Sequence, residues 1–385
     1  MMPGMANRWL ALALVFVARM SMGVQFQAVA SVAPLVVADL GVSYAQIGWL
    51  IGIYMLPGMF FALPGGVIGQ RFGERRLVVV GLALMVGGGA TTAWAGSFTV
   101  AVVGRVVSGI GAVLMNILLP KFVADWFVGR ELSTAMALLL TSWPVGLGIA
   151  TAALGGVAAA TSWRTAMLAT SALAGLGLLA MLVFREAPRL TEAPARAALV
   201  AHDVRLGMAG GFAWGCFNAS LVTVAAFGPG MLIARGLPLG EAGRIVSLAI
   251  WLTMLSVPLG GLLSDRIGRP TLLITLGSLI AAGATLLVPA WSHAGLAFAL
   301  VGLAVGPPPG PLMSLLPRAL PAERVTATFG VFYTVFYVMM ALTQPAAGFV
   351  RDRAGDPAAP IVFAAAVMAA TVIGLGIFRR LERAA

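Results

Sequence analysis

The sequence predicts an all-α membrane protein, with twelve transmembrane helices in two pseudo-symmetric six-helix bundles. Three observations predict it. First, of 385 residues, 60% are hydrophobic and only 10% charged, against about 45–50% and about 25% in soluble domains. So few charges cannot cover a water-facing surface, which excludes a soluble enzyme and a disordered chain. The single cysteine, Cys216, excludes a disulfide scaffold. Second, apolar stretches of about 20 residues, the length that crosses a bilayer, recur twelve times. They are continuous rather than alternating, which excludes an outer-membrane barrel. Third, segments of the chain repeat at an offset of 195 residues.

The first span, 9–37, is too long for a signal-peptide core and has no small-residue cleavage site, so it reads as retained. It carries Arg19, ten residues past Trp9. That is ~15 Å along a helix at about 1.5 Å per residue, near the midplane. The second span, 44–70, runs into Gly65-Gly66-Val67-Ile68-Gly69-Gln70-Arg71-Phe72-Gly73-Glu74-Arg75-Arg76. The third covers 76–96. The fourth, 98–122, holds Arg105-Val106-Val107-Ser108-Gly109-Ile110-Gly111, with Asn116 eleven residues beyond Arg105 and on its face. The fifth, 132–160, contains Trp143-Pro144, and the sixth, 163–184, follows Ser162-Trp163-Arg164. Residues 1–184 are therefore the N-terminal bundle, and 185–204, with Pro188 and Pro194, a cytoplasmic linker.

Residues 205–385 make the C-terminal bundle. Its seventh span, 205–232, puts Trp214 and Asn218 on one helix face. Trp214 is also the repeat equivalent of Arg19, so the two are expected to face each other. The eighth, 241–264, ends in Gly260-Gly261-Leu262-Leu263-Ser264-Asp265-Arg266-Ile267-Gly268-Arg269, at the repeat offset from the earlier loop. The same offset aligns Gly41, Gln46 and Gly48 with Gly236, Glu241 and Gly243. The ninth span covers 271–291. The tenth, 293–317, contains Gly306-Pro307-Pro308-Pro309-Gly310-Pro311; four prolines remove donors and predict a kinked or broken helix. The eleventh, 325–350, puts Tyr333, Tyr337 and Gln344 on one face, and the twelfth is 358–379.

With the N-terminus inside, 17 of the 24 basic residues fall on the cytoplasmic side and five outside. This matches the positive-inside rule with both termini cytoplasmic. Most of the net charge of +11 is then topological, and no nucleic-acid partner is implied. The lipid bilayer and a small molecule are the expected partners, and a monomer the expected state.

The loop at 261–269 and its duplicate resemble the signature loop of the major facilitator superfamily. Arg105 to Gly111 and Ser162-Trp163-Arg164 extend the resemblance over nearly the whole chain. It implies two halves that rock about a central site. The first loop departs from the pattern, with Gln70 in place of the usual aspartate and Glu74 in place of a basic residue. Asp265 is then the intact latch. The resemblance implies gating by Arg71, Arg75, Asp265, Arg266 and Arg269. Such side chains can bind the carbonyl ends of neighbouring helices and pair with carboxylates in one state only. The alternative is that they only set topology.

All thirteen acidic residues, and both histidines, fall at span ends, loops or tails. Two arginines, Arg19 and Arg105, remain inside the membrane. A charge there is costly and faces a cavity or a partner. With no carboxylate for either, a bound anion is a natural counterion, and the guanidinium fork suits carboxylate, phosphate or nitrate. For Arg105, structural or coupling roles and snorkelling are equally open. Tyr333, Tyr337, Trp214, Asn218, Asn116 and Gln344 are candidates to line the site, or to hydrogen-bond between helices.

One arginine in the first helix and one in the fourth resembles the organic-anion branch of the superfamily. That branch implies acidic residues where this chain has Ala18 and Ala112. Their absence argues for exchange or facilitated diffusion rather than proton symport. Efflux of hydrophobic drug-like compounds and ligand sensing without transport are the alternatives. No catalytic constellation, metal site or cofactor motif is visible, and the single lysine, Lys121, argues against an ATP-driven pump.

Overall fold

The computed structural model describes residues 5–63, 71–127, 131–183 and 199–384. Gly65, Gly66, Gly69 and Gln70 of the first signature loop, and the expected linker up to residue 198, lie outside the described residues. In the first half, α1 (Met5–Ser31) leads into a short α2 (Ala33–Leu40). The second span follows as α3 (Tyr44–Gly52) and α4 (Gly58–Phe61). Then come α5 (Glu74–Ala93), α6 (Phe98–Trp126), α7 (Leu132–Ala160) and α8 (Trp163–Val183). The second half opens with α9 (Ala201–Ala234), α10 (Leu239–Ile267) and α11 (Pro270–Ala290). It continues with α12 (Ala294–Ala304), α13 (Pro309–Met313), α14 (Leu315–Ala319), α15 (Ala322–Ala354) and α16 (Ala359–Arg383). Among the described residues, 11 segments are long and apolar enough to cross a membrane. The remaining expected span is the second, which is broken.

Both interrupted spans have a chemical cause. The tenth stops at Ala304 and restarts at Pro309 because Pro307, Pro308 and Pro309 have no N–H to donate. The predicted break is observed there. The second span starts well: Ser43 Oγ accepts from the Gln46 N–H and Gln46 Oε1 accepts from the Ser43 N–H, a reciprocal cap. After Gly52 it tightens into i→i+3 turns, Met55 N to Gly52 O at 2.9 Å and Gly58 N to Met55 O at 2.9 Å. Pro57 lies inside this stretch and cannot continue an α-helical ladder.

Polar pairs tie the ends of each half. At the end that carries the termini, Arg8 Nη2 meets Glu131 Oε2 at 2.8 Å, joining α1 to the start of α7. In the second half the fully buried Asp203 takes Arg324 Nη1 at 3.2 Å, joining α9 to α15. Arg8 and Asp203 are one repeat apart, so duplicated positions carry inverted charges. Glu74, the departure in the first signature loop, is buried and pairs with Lys121, tying α5 to α6. At the opposite end, Asp39 accepts from Arg164 Nη1 at 2.6 Å and from Trp163 Nε1 at 3.1 Å.

The halves meet along three seams: α3 and α4 on α15, α7 on α10, and α1 on α9. Close approach depends on glycine. A Cβ at Gly52 would overlap the Ala341 carbonyl oxygen, and one at Gly348 the Tyr44 carbonyl oxygen. The end away from the termini is closed by a carboxylate. Asp352 of α15 accepts from the Tyr44 and Ala45 N–H groups of α3 at 3.1 and 2.8 Å. Arg351 stacks over the Tyr44 ring at 3.4 Å. A carboxylate at a helix N-terminus satisfies orphan donors and complements the helix dipole.

Candidate functional site

The site is built from the middles of α1, α6, α7 and α15. Pro144 in α7 has no N–H for the carbonyl of Leu140, four residues back. An orphan carbonyl in a membrane needs another donor. Arg19 of α1 supplies it. Its Nη1 donates to Leu140 O at 3.3 Å, to Leu139 O at 3.0 Å and to Ser142 Oγ at 3.3 Å. Its Nη2 donates to Asn116 Oδ1 of α6 at 3.0 Å. Asn116 Nδ2 in turn donates to the Tyr337 hydroxyl of α15 at 2.8 Å. Arg19 is 8% exposed, and its Nε has no hydrogen-bond acceptor. The guanidinium is thus cradled by neutral dipoles, with no carboxylate among its partners.

Three of the predicted residues, Arg19, Asn116 and Tyr337, are therefore one connected group spanning both halves. Tyr333, one turn away on α15, lies within electrostatic reach of Arg19. It sits in an aromatic run: Phe329 at 6.0 Å, Phe332 at 5.4 Å and Phe336 at 6.0 Å between ring centroids. The Tyr337 ring is held against α4, where a Cβ at Gly58 would strike it.

The other predicted residues make no hydrogen bond to this group among the described residues. Arg105 is 1% exposed. Its Nε donates to Leu50 O at 2.7 Å, Nη1 to Gln25 O at 2.7 Å and Nη2 to Phe26 O at 3.1 Å. It also stacks over the Tyr54 ring at 4.3 Å. One turn on, a Cβ at Gly109 would overlap the Tyr54 carbonyl oxygen. The arginine and glycine of this motif thus clamp the broken second span and α1 to α6. Gln344 is fully buried against α9, donating to Ala219 O at 3.3 Å and accepting from Thr223 Oγ1 at 3.4 Å. Asn218 donates to Trp214 O in its own helix at 2.8 Å, and Trp214 stacks on Phe217 at 5.9 Å. Trp214 is not among the hydrogen-bond partners of Arg19.

Of the expected gating residues, Arg75 binds the carbonyl end of α8, with Nη2 at 2.6 Å from Leu182 O and Nε at 3.4 Å from Met181 O. Arg71 lies 5.7 Å from the Phe72 ring. Asp265, Arg266 and Arg269 are exposed, with no ion pair among the described residues. No group of three metal-ligating side chains occurs among the described residues.

The sequence reading missed Ser142, Gln25 and Gln27. Gln25 donates to Met85 O at 2.9 Å and accepts from the Tyr54 hydroxyl at 3.3 Å. Gln27 donates across the seam to Ala225 O of α9 at 3.1 Å. Two amides inside an apolar span were a signal for the glutamines. Pro144, two residues on, was a signal for Ser142.

A family model described as Major Facilitator Superfamily matches residues 13–344. The chain is 26% identical over 329 residues to a probable sulfoacetate transporter of Cupriavidus necator, covering 80% of this chain and 71% of that one. It is 24% identical over 257 residues to a hexuronate transporter of Bacillus subtilis, covering 62% of this chain and 60% of that one. Its fold is similar to that of an inward-open xylose transporter from E. coli, with a TM-score of 0.79 at 12% identity, covering 97% of this chain and 96% of that one.

Proposed function

The chain belongs to the major facilitator superfamily, and on that premise we propose that it carries a small organic anion across the inner membrane by alternating access, with Arg19 as the main charge contact. It is a multi-pass membrane transporter of a small molecule, not an enzyme. The single observation that carries the anion reading is a buried guanidinium at mid-membrane. Its partners are all neutral and lie on α6 and α7 of the first half, and one of them, Asn116, carries the contact on across the central seam to Tyr337. A carboxylate or sulfonate could replace those neutral acceptors and take the fork geometry of the guanidinium. The relatives named for sulfoacetate and hexuronate transport support the same substrate class.

Arg105 has a positioning role in this reading, because its three nitrogens hold α1 and the second span. Tyr333 and Tyr337 supply aromatic walls and hydroxyls. Asp265, Arg266 and Arg269 gate the end that carries the termini, which the charge bias assigns to the cytoplasm. The carrier works as a monomer.

No carboxylate lies among the residues bonded to Arg19, so the reading is exchange or facilitated diffusion without proton coupling. Uptake into proteoliposomes should therefore continue when a protonophore collapses the proton gradient. Collapse of uptake would overturn this part. The test of the site is a thermal-shift screen of purified protein against carboxylates, sulfonates, sugar acids, phosphates and inorganic anions. An anion that stabilises the wild type should not stabilise Arg19→Ala. Equal stabilisation of both proteins would end the reading. A second reading, efflux of a hydrophobic compound, is favoured by the aromatic run from Phe329 to Tyr337. Drug resistance of an overexpressing strain that survives Arg19→Ala would support it instead.

A further inference from the structure

We infer that Asn116 is a positioning residue that clasps the two halves together in the substrate-free protein, and that an anion at Arg19 releases this clasp. The inference rests on the Arg19 reading. The geometry gives Asn116 one orientation only. A guanidinium can only donate, so the amide oxygen must face Arg19 and the amide nitrogen must face the Tyr337 hydroxyl. The two contacts, 3.0 and 2.8 Å, form a continuous chain from α1 through α6 to α15. It crosses the seam between the halves.

The consequences follow from what else holds the halves. The end away from the termini is fastened by Asp352 on α3 and by the glycine contacts of Gly348 and Gly52. At the other end Asp265, Arg266 and Arg269 have no ion-pair partner among the described residues. Loosening the middle therefore leaves the terminal end held by apolar packing such as Leu63 on Gly330, which can part as that end swings about the fastened one. An anion that takes Arg19 Nη2 removes the donor that orients Asn116, and the link to Tyr337 loses its fixed register. Substrate arrival is thereby coupled to domain movement without any proton, using a neutral amide where a titrating carboxylate would otherwise stand.

Double electron–electron resonance on the purified full-length protein without ligand tests this. Labels go on Leu132→Cys and Glu323→Cys, exposed positions at the starts of α7 and α15 in opposite halves, in a Cys216→Ala background. The wild type should give one distance population. Asn116→Leu should add a second, longer one, and Tyr337→Phe should reproduce it. The double variant should go no further than either single, because both remove the same link. Asn116→Asp should retain the single population, since a carboxylate accepts from both Arg19 and the tyrosine hydroxyl. It should also lose the anion-induced thermal shift, because it neutralises Arg19. An unchanged distribution in Asn116→Leu would overturn the clasp. So would a change in Asn116→Leu that Tyr337→Phe does not share, which would mean packing alone. Should Asn116→Leu fail to fold, Tyr337→Phe, which loses one oxygen, carries the test. The distance measurement needs no ligand, so its failure is distinct from a failure of Arg19→Ala to abolish anion binding.

Discussion

Arg105 directs Nε and both Nη atoms at carbonyl oxygens of two other segments and is only 1% exposed. Arg19 is cradled by four weaker neutral acceptors and keeps Nε without one. The two predict opposite phenotypes. Arg105→Ala removes three buried hydrogen bonds to a charged group, about 1.5–3 kcal/mol each. It should lower the melting temperature sharply, and saturating anion should not rescue it. Arg19→Lys keeps the charge but loses the fork. It should fold normally and bind anion roughly tenfold to a hundredfold more weakly, the worth of about 1.5–3 kcal/mol for a charged hydrogen bond. Isothermal titration separates the two cases. Both arginines were legible in the sequence, because a charge inside an apolar span stands out. A structural role for Arg105 was one of the open alternatives, and its partners were not legible. Its partners are backbone carbonyls 55 to 80 residues away, and a carbonyl has no residue identity to read.

Proline shapes the elements that carry the site. The interrupted tenth span was legible because four prolines crowd six residues. The interrupted second span was not, because Pro57 and Pro64, a full seven residues apart, are compatible with a kinked continuous helix. In α7, Pro144 frees the Leu140 carbonyl that anchors Arg19. Pro144→Ala should restore the ladder bond and stabilise the helix by up to about 3 kcal/mol. It should also loosen Arg19 and weaken anion binding roughly tenfold, so melting temperature and affinity move in opposite directions. The α2–α8 junction gives a pH signature. Hydrogen bonds from Arg164 and then Trp163 hold the Asp39 carboxyl below the usual carboxylate range. The lowered folded-state value means that its stabilisation is present above the ordinary carboxylate pKa. It is lost as pH falls through the folded-state value. Asp39→Asn should flatten the acid limb of the stability profile, read as melting temperature against pH below about 5.

At the scale of the molecule, the two halves were legible from the repeat, and the seams between them were not. Contacts such as Gly52 on Ala341 and Asp352 on the start of α3 join positions with no relation in sequence period. Asp352→Ala removes two charge-assisted hydrogen bonds from the closed end. It should shift the carrier toward opening there, read as faster maleimide labelling of a cysteine placed at Val42. The repeat also carries a reversal of sign. Arg8 pairs with Glu131 in one half, and Asp203 with Arg324 in the other. Were α1 to dock on α15 during insertion, Arg8 would meet Arg324. Were α9 to dock on α7, Asp203 would meet Glu131. An exchange of first helices between the two halves would therefore set like charges against each other at both junctions, a bias toward the native pairing.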